Sequence, residues 1–284
     1  MYPSMPRFVV LVIRTIYFIK LLPLVLYYKY STIITNGGLD ATIRIIEACP
    51  LGEQRLMAIR LLHIISDATT SGNDQIFEKV VDAGAVRAIG KILKQGSFYF
   101  LKMILPKNTK EEGEEDKRHI DFVLQELYYA LPALANMVDL SVSSEKKELR
   151  ESCDTQRLIG QICKDIGSSG GLESLLQLAM CSGSIERFPS LSITVDHNDI
   201  LVESYRSLAS LCPILTSSVA SDEGLTRKWS FQMLLALTAV LNEEEQEDFI
   251  VEEFQLESLR GLCSLVKYDP IKVSLCIELF IFVL

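Results

Sequence analysis

The sequence predicts an all-α protein arranged as a helical solenoid, and three observations carry that prediction. One short phrase recurs in altered form at four places along 284 residues. Behind each copy, apolar residues fall at the three-to-four spacing of a helix packed on one side. Nearly half of the chain is apolar, 49 %, with few aromatic residues and a single tryptophan, Trp229. That is core material and excludes a disordered chain. A unit with one apolar stripe cannot bury it alone, so such units stack on copies of themselves.

The first copy runs from Ile34 through Gly37, Gly38 and Leu39, followed by Ile43, Ile45 and Ile46. The second runs from Val81 through Gly84 and Val86 to Ile89, Ile92 and Leu93. The third runs from Ile166 through Gly170, Gly171 and Leu172 to Leu175, Leu176 and Leu178. The fourth has lost its glycines and keeps Phe254, Leu256, Leu259, Leu262 and Leu265. The first three read as a helix, a glycine break and a second helix, glycine serving where the chain must turn sharply.

Residues 8–30, upstream of the first copy, are apolar and long enough to span a bilayer, for which about 20 apolar residues suffice. Arg14 and Lys20 interrupt them, each costing about 2.5–3.5 kcal/mol near the bilayer centre. Two readings stand for residues 1–31: a capping helix or helix pair broken at Pro23, or a membrane or targeting segment.

Between the copies, residues 54–66 read as a helix, with Leu56, Ile59, Leu62 or His63, and Ser66 on one side and a polar stop from Asp67. Residues 75–81 open the next unit. Residues 105–118 are rich in charge and contain Pro106 and Gly113, so they are expected to form an inserted, solvated loop. Residues 182–195, with Pro189, are expected to form a second insertion. Residues 229–241 read as an apolar helix, and the acidic run at 242–248 suits the start of the next one. Residues 271–284 end apolar, which calls for packing against something further.

These units resemble armadillo repeats, in which a short helix is followed by two longer ones. The segment from Ile76 through Gly84 to Leu93 is similar to the family's first helix, glycine and second helix. Ala130, Ala133, Leu134, Asn136 and Met137 resemble its third-helix pattern; Ser204, Ser207, Leu208, Ser210 and Leu211 are a weaker version. The resemblance covers about residues 32–284, with an irregular or HEAT-like unit between Pro213 and Gln246. It implies a right-handed α-solenoid of armadillo/HEAT-like repeats whose third helices line a concave groove for an extended partner segment. Here that groove would hold Arg60, His63, Asn136, Arg206 and Ser210. The asparagine ladder used by family members that bind basic targeting peptides is mostly absent. Asn136 stands at its place in one unit, whereas Ile64, Ser210 and Ala239 stand there in others.

Net charge is −9, unevenly spread. Of the 28 basic side chains, Arg7, Arg14, Lys20 and Lys29 lie in the first 39 residues, which hold no acid. The remaining 24 face 37 acids, a net −13. That surplus argues against nucleic acid as a partner and favours basic or neutral protein segments. The seven cysteines are odd in number and contain no C-x-x-C pair, so buried reduced thiols and a cytoplasmic setting are expected, with a membrane or organelle as the alternative through residues 8–30.

No catalytic pattern emerges. The three histidines, His63, His119 and His197, are far apart and lack a second ligand at metal-site spacing. No nucleophile elbow or phosphate loop occurs, and the glycines at 167–171 are explained by a turn between helices. The expectation is a non-catalytic protein–protein interaction scaffold with no cofactor and no metal. Two alternatives accompany it: an armadillo-like nucleotide-exchange cofactor of a chaperone, and a membrane-tethered scaffold.

Overall fold

The computed structural model describes residues 32–34, 36–70, 74–104, 114–138, 153–180, 197–215, 236 and 255–263. Among them the regular structure is helical and no strand occurs. In chain order the helices are α1 (Gly38–Ala48), α2 (Glu53–Thr70), α3 (Asp74–Asp82), α4 (Ala85–Ile104), α5 (Glu114–Val138), α6 (Cys153–Ser168), α7 (Gly171–Met180) and α8 (His197–Leu215). A short helical turn at 32–34 precedes them and a helical stretch at 255–263 follows.

The recurring phrase is one backbone device built three times. Gly37, Gly84 and Gly170 have φ of 75°, 80° and 76°, the left-handed region that costs a side chain about 1–2 kcal/mol. Each glycine amide donates back to the carbonyl three residues earlier: Ile34 at 3.3 Å, Val81 at 2.9 Å and Gly167 at 3.1 Å. Each glycine carbonyl then accepts the first ladder bond of the following helix, from Ala41, Ala88 and Ser174. One residue thus closes one helix and opens the next.

Packing follows the same order. α5 lies against both α2 and α8. α4 lies against both α1 and α7, and α3 packs on α6. A single buried apolar cluster runs through all of them, from Ile34 to Ala236.

Helix α5 sits at the middle of that cluster, with Leu124, Leu127, Leu131 and Leu134 fully buried. Pro132 lies inside it, and an interior proline costs about 3 kcal/mol because it removes an amide and crowds the preceding turn. Four buried leucines at about 1.5–3 kcal/mol each outweigh that cost, so packing holds the helix through the proline. Close approach elsewhere depends on small residues. A Cβ on Gly171 would stand 2.6 Å from the Cα of Gly90, so α4 and α7 meet backbone to backbone. Ser207 Oγ on α8 donates to the Leu131 carbonyl of α5 at 2.8 Å. Tyr205, fully buried, donates to the Ala179 carbonyl at 2.7 Å and also lies 3.2 Å from that of Ala236.

Three expectations need correction. The charged segment 105–118 is helix from Glu114 onward, because acids are favoured at the positive end of a helix and nothing after Gly113 breaks it. Helix α2 continues past the expected stop at Asp67 to Thr70, there being no glycine or proline before Gly72. In the fourth copy, Leu256 and Leu259 are 65 % and 50 % exposed. Ser258 is buried and Leu262 packs on the core, so the inward face is shifted from the leucine stripe. Residues 1–31, 105–113, 182–195, 229–235, 237–248 and 271–284 lie outside the described residues, Ala239 among them. Among the described residues no helix is long and apolar enough to cross a membrane.

Candidate functional site

The outer edges of α2, α5 and α8 carry a band of polar and aromatic residues, half-buried except for the exposed Asp67 and Asp199. It follows from helical spacing: Arg60, His63 and Asp67 on α2; Asp121, Gln125, Tyr128, Tyr129 and Asn136 on α5; Asp199, Glu203 and Arg206 on α8. Steps of three or four keep each set on one side of its helix, and stacking of the three helices joins the sets.

At the α2–α5 step, Tyr129 is the hub. The Arg60 guanidinium carbon lies 4.9 Å from the ring centroid, a cation–π contact. The His63 ring meets Tyr129 edge-on at 5.9 Å, and Tyr128 meets it edge-on at 5.1 Å. Arg60 Nη2 donates to Gln125 Oε1 at 2.8 Å, and Gln125 Nε2 in turn donates to Asp121 Oδ2 at 2.7 Å.

One turn further along, Asn136 Nδ2 donates to Asp67 Oδ1 at 2.6 Å and lies 3.5 Å from Ser66 Oγ. The Ser66 hydroxyl donates to the main-chain carbonyl of His63 at 2.6 Å. Burial lowers the His63 pKa, the Arg206 charge lowers it further, and Asp67 opposes both. Asp67 is pushed up by burial, against the pull of His63, Arg206 and the Asn136 amide. Arg206, on α8, therefore feels the α2 pair electrostatically across α5.

At the α5–α8 step the band turns acidic. Glu203 is raised by burial, which the partly exposed Arg206, 3.4 Å away, counters and which Glu257 and Asp199 reinforce. Tyr128 is raised chiefly by burial, with Asp199, Tyr129 and Glu203 adding to it.

Of the five residues expected in a groove, four lie on this band: Arg60, His63, Asn136 and Arg206. Ser210 does not. It is 3 % exposed, and its Oγ is buried without a hydrogen-bond partner among the described residues. It presents no surface to a partner. Asn136 joins two helices through side chains. The sequence reading passed over Gln125, Tyr128, Tyr129, Asp67 and Glu203. The recurrence of Gln125, Tyr129, Pro132 and Asn136 at steps of four, three and four within an otherwise apolar helix was the available signal.

Among the described residues, no three histidine, cysteine, aspartate or glutamate side chains come together to hold a metal. Comparison of the chain with protein-family models, with curated proteins and with solved structures found no match.

Proposed function

We propose that the chain is a non-catalytic interaction scaffold, an armadillo-like α-solenoid that binds an extended segment of a partner protein across its third helices. The observation that carries this reading is the continuous band on α2, α5 and α8, with Tyr128 and Tyr129 at its centre and cationic and acidic groups to either side. Rigid aromatic rings flanked by charges are the usual anchors of protein interfaces, and prestacked helices lose little entropy on binding. The threefold glycine device and the ordered packing of first, second and third helices support the repeat reading.

The test is affinity capture from native extract with the full chain as bait. Two variants serve as comparisons: Tyr129→Ala with Arg206→Ala on the band, and Arg157→Ala, which removes an ion pair to Glu78 and Asp82 on another surface. A protein held by wild type and Arg157→Ala but lost by the band variant supports the scaffold. Equal retention by all three overturns it.

A further inference from the structure

We propose that Arg60 is an anchor for a carboxylate, an aspartate or glutamate side chain of the extended segment that lies on the third-helix band. The inference rests on the scaffold reading above and specifies one contact within it.

Among the described residues, Arg60 is the half-buried arginine that lacks a carboxylate. Arg55, Arg87, Arg157, Arg206 and Arg260 each have one within 4 Å. Arg44 and Arg118 do not, but both are exposed, so water serves them. Arg60 is partly withdrawn from water and its Nε is buried without a hydrogen-bond partner. Its Nη1 has only the Met57 sulfur, at 3.9 Å. A cation held this way is costly until an opposite charge reaches it.

The surroundings hold the guanidinium still without neutralising it. Tyr129 stacks on one face, and Gln125 takes one N–H of Nη2. Asp121, the nearest acid in that chain of contacts, stands one amide away and orients Gln125 so that its carbonyl oxygen is turned to Arg60. A planar, preset fork with free donors at its Nη end suits a carboxylate, which it binds through charge-assisted hydrogen bonds. The acid nearby, Asp121, favours a singly charged carboxylate over a doubly charged phosphate. The acidic surplus of the body disfavours a nucleic-acid backbone. An acidic residue is therefore required of the partner at this point, although whole-chain charge alone favours a basic or neutral one. Charge at the contact, set by one unpaired arginine, differs from charge averaged over the chain.

The test is selection of random linear peptides displayed on phage against the full chain. The baits are wild type, Arg60→Gln, Arg60→Glu and Arg157→Gln, each first checked for wild-type helicity by circular dichroism. Wild type and Arg157→Gln are expected to select peptides sharing an aspartate or glutamate at one aligned position. Arg60→Gln is expected to lose that preference and Arg60→Glu to replace it with lysine or arginine. In a selected synthetic peptide, changing that acid to its amide should weaken binding to wild type about tenfold to a hundredfold, and to Arg60→Gln hardly at all. Peptides selected without an acidic position, or with one that persists in both Arg60 variants, overturn the Arg60 contact and leave the scaffold standing. Selection of no peptide by wild type overturns both. If Arg60→Glu does not fold, Arg60→Gln alone decides.

Discussion

Arg55 of α2 and Glu126 of α5 form a two-pronged ion pair sealed between the two helices. Arg55 Nε donates to Glu126 Oε1 at 2.9 Å and Nη2 to Oε2 at 2.5 Å, with the two side chains 9 % and 2 % exposed. Nη2 also donates to Gln95 of α4 at 2.8 Å, so three helices are tied at one guanidinium. Arg55, with a carboxylate, and Arg60, without one, lie little more than a turn apart on the same helix.

Breaking this pair from one side should be far worse than removing it whole. Arg55→Met and Glu126→Leu alone should each cost about 3–5 kcal/mol, since either leaves a buried charge without its partner. The double variant should recover most of that loss. Urea denaturation of the four proteins reads the coupling; additive single losses would show that the pair is not coupled. Burial raises the Glu126 pKa above 4.5, with Arg55 opposing. Its stabilising contribution is therefore full below about 4.5 and is lost as pH rises through the folded value. Removing Arg55 should move that loss to higher pH.

His63 should titrate below the ordinary imidazole value of 6.5, because burial and Arg206 both disfavour its charged form. Its folded pKa being depressed, its share of stability is present above about 6.5 and is lost as acidification carries it through the lower folded value. In an NMR titration, Asp67→Asn should lower the midpoint further and Arg206→Gln should raise it. Midpoints unmoved by either change would separate His63 from the two groups.

Gly171→Ala should destabilise the fold by about 1–3 kcal/mol, as overpacking does. The new methyl would meet the Gly90 Cα at 2.6 Å and the Ile166 side chain at 2.7 Å, and backbone cannot move aside cheaply. Gly37→Ala meets nothing within 4 Å, so its cost is the left-handed backbone alone, about 1–2 kcal/mol. Thermal melts compare the two; an unchanged melting temperature for Gly171→Ala would mean that α4 and α7 are not in backbone contact.

The thiols should divide by burial. Burial pushes Cys163 up to about 11 and raises Cys212 as well, so both resist alkylation while the protein is folded. Cys263 is exposed and should react before Cys163 and Cys212. Mass-spectrometric mapping after a short iodoacetamide pulse tests the order. Rapid labelling of Cys212 under native conditions would contradict its complete burial.

Much of the helical plan was legible in the residues. Gly37, Gly84 and Gly170 announce turns because a left-handed backbone leaves few other choices, and apolar spacing around them marks the faces that must be covered. Boundaries were less legible. Glu114 reads as part of a charged loop because polar residues suit both a loop and an exposed helix, and only the absence of a breaker distinguishes them. The band was half legible. Arg60, His63, Asn136 and Arg206 follow from register, but Ser210 shares that register and is buried, since its exposure depends on how closely another helix approaches.

The sequence by itself determined that this is a helical protein with three like turns, because backbone preference and hydrophobic periodicity are local properties. Only the tertiary structure decided which charges have partners. Arg55 and Arg60 are five residues apart and alike in sequence context, yet one meets Glu126 and Gln95 while the other meets Tyr129 and Gln125. Their partners lie 40 to 71 residues away. Which groups end up within a few ångströms is set by how α2, α4 and α5 pack, an outcome that no short stretch of sequence contains.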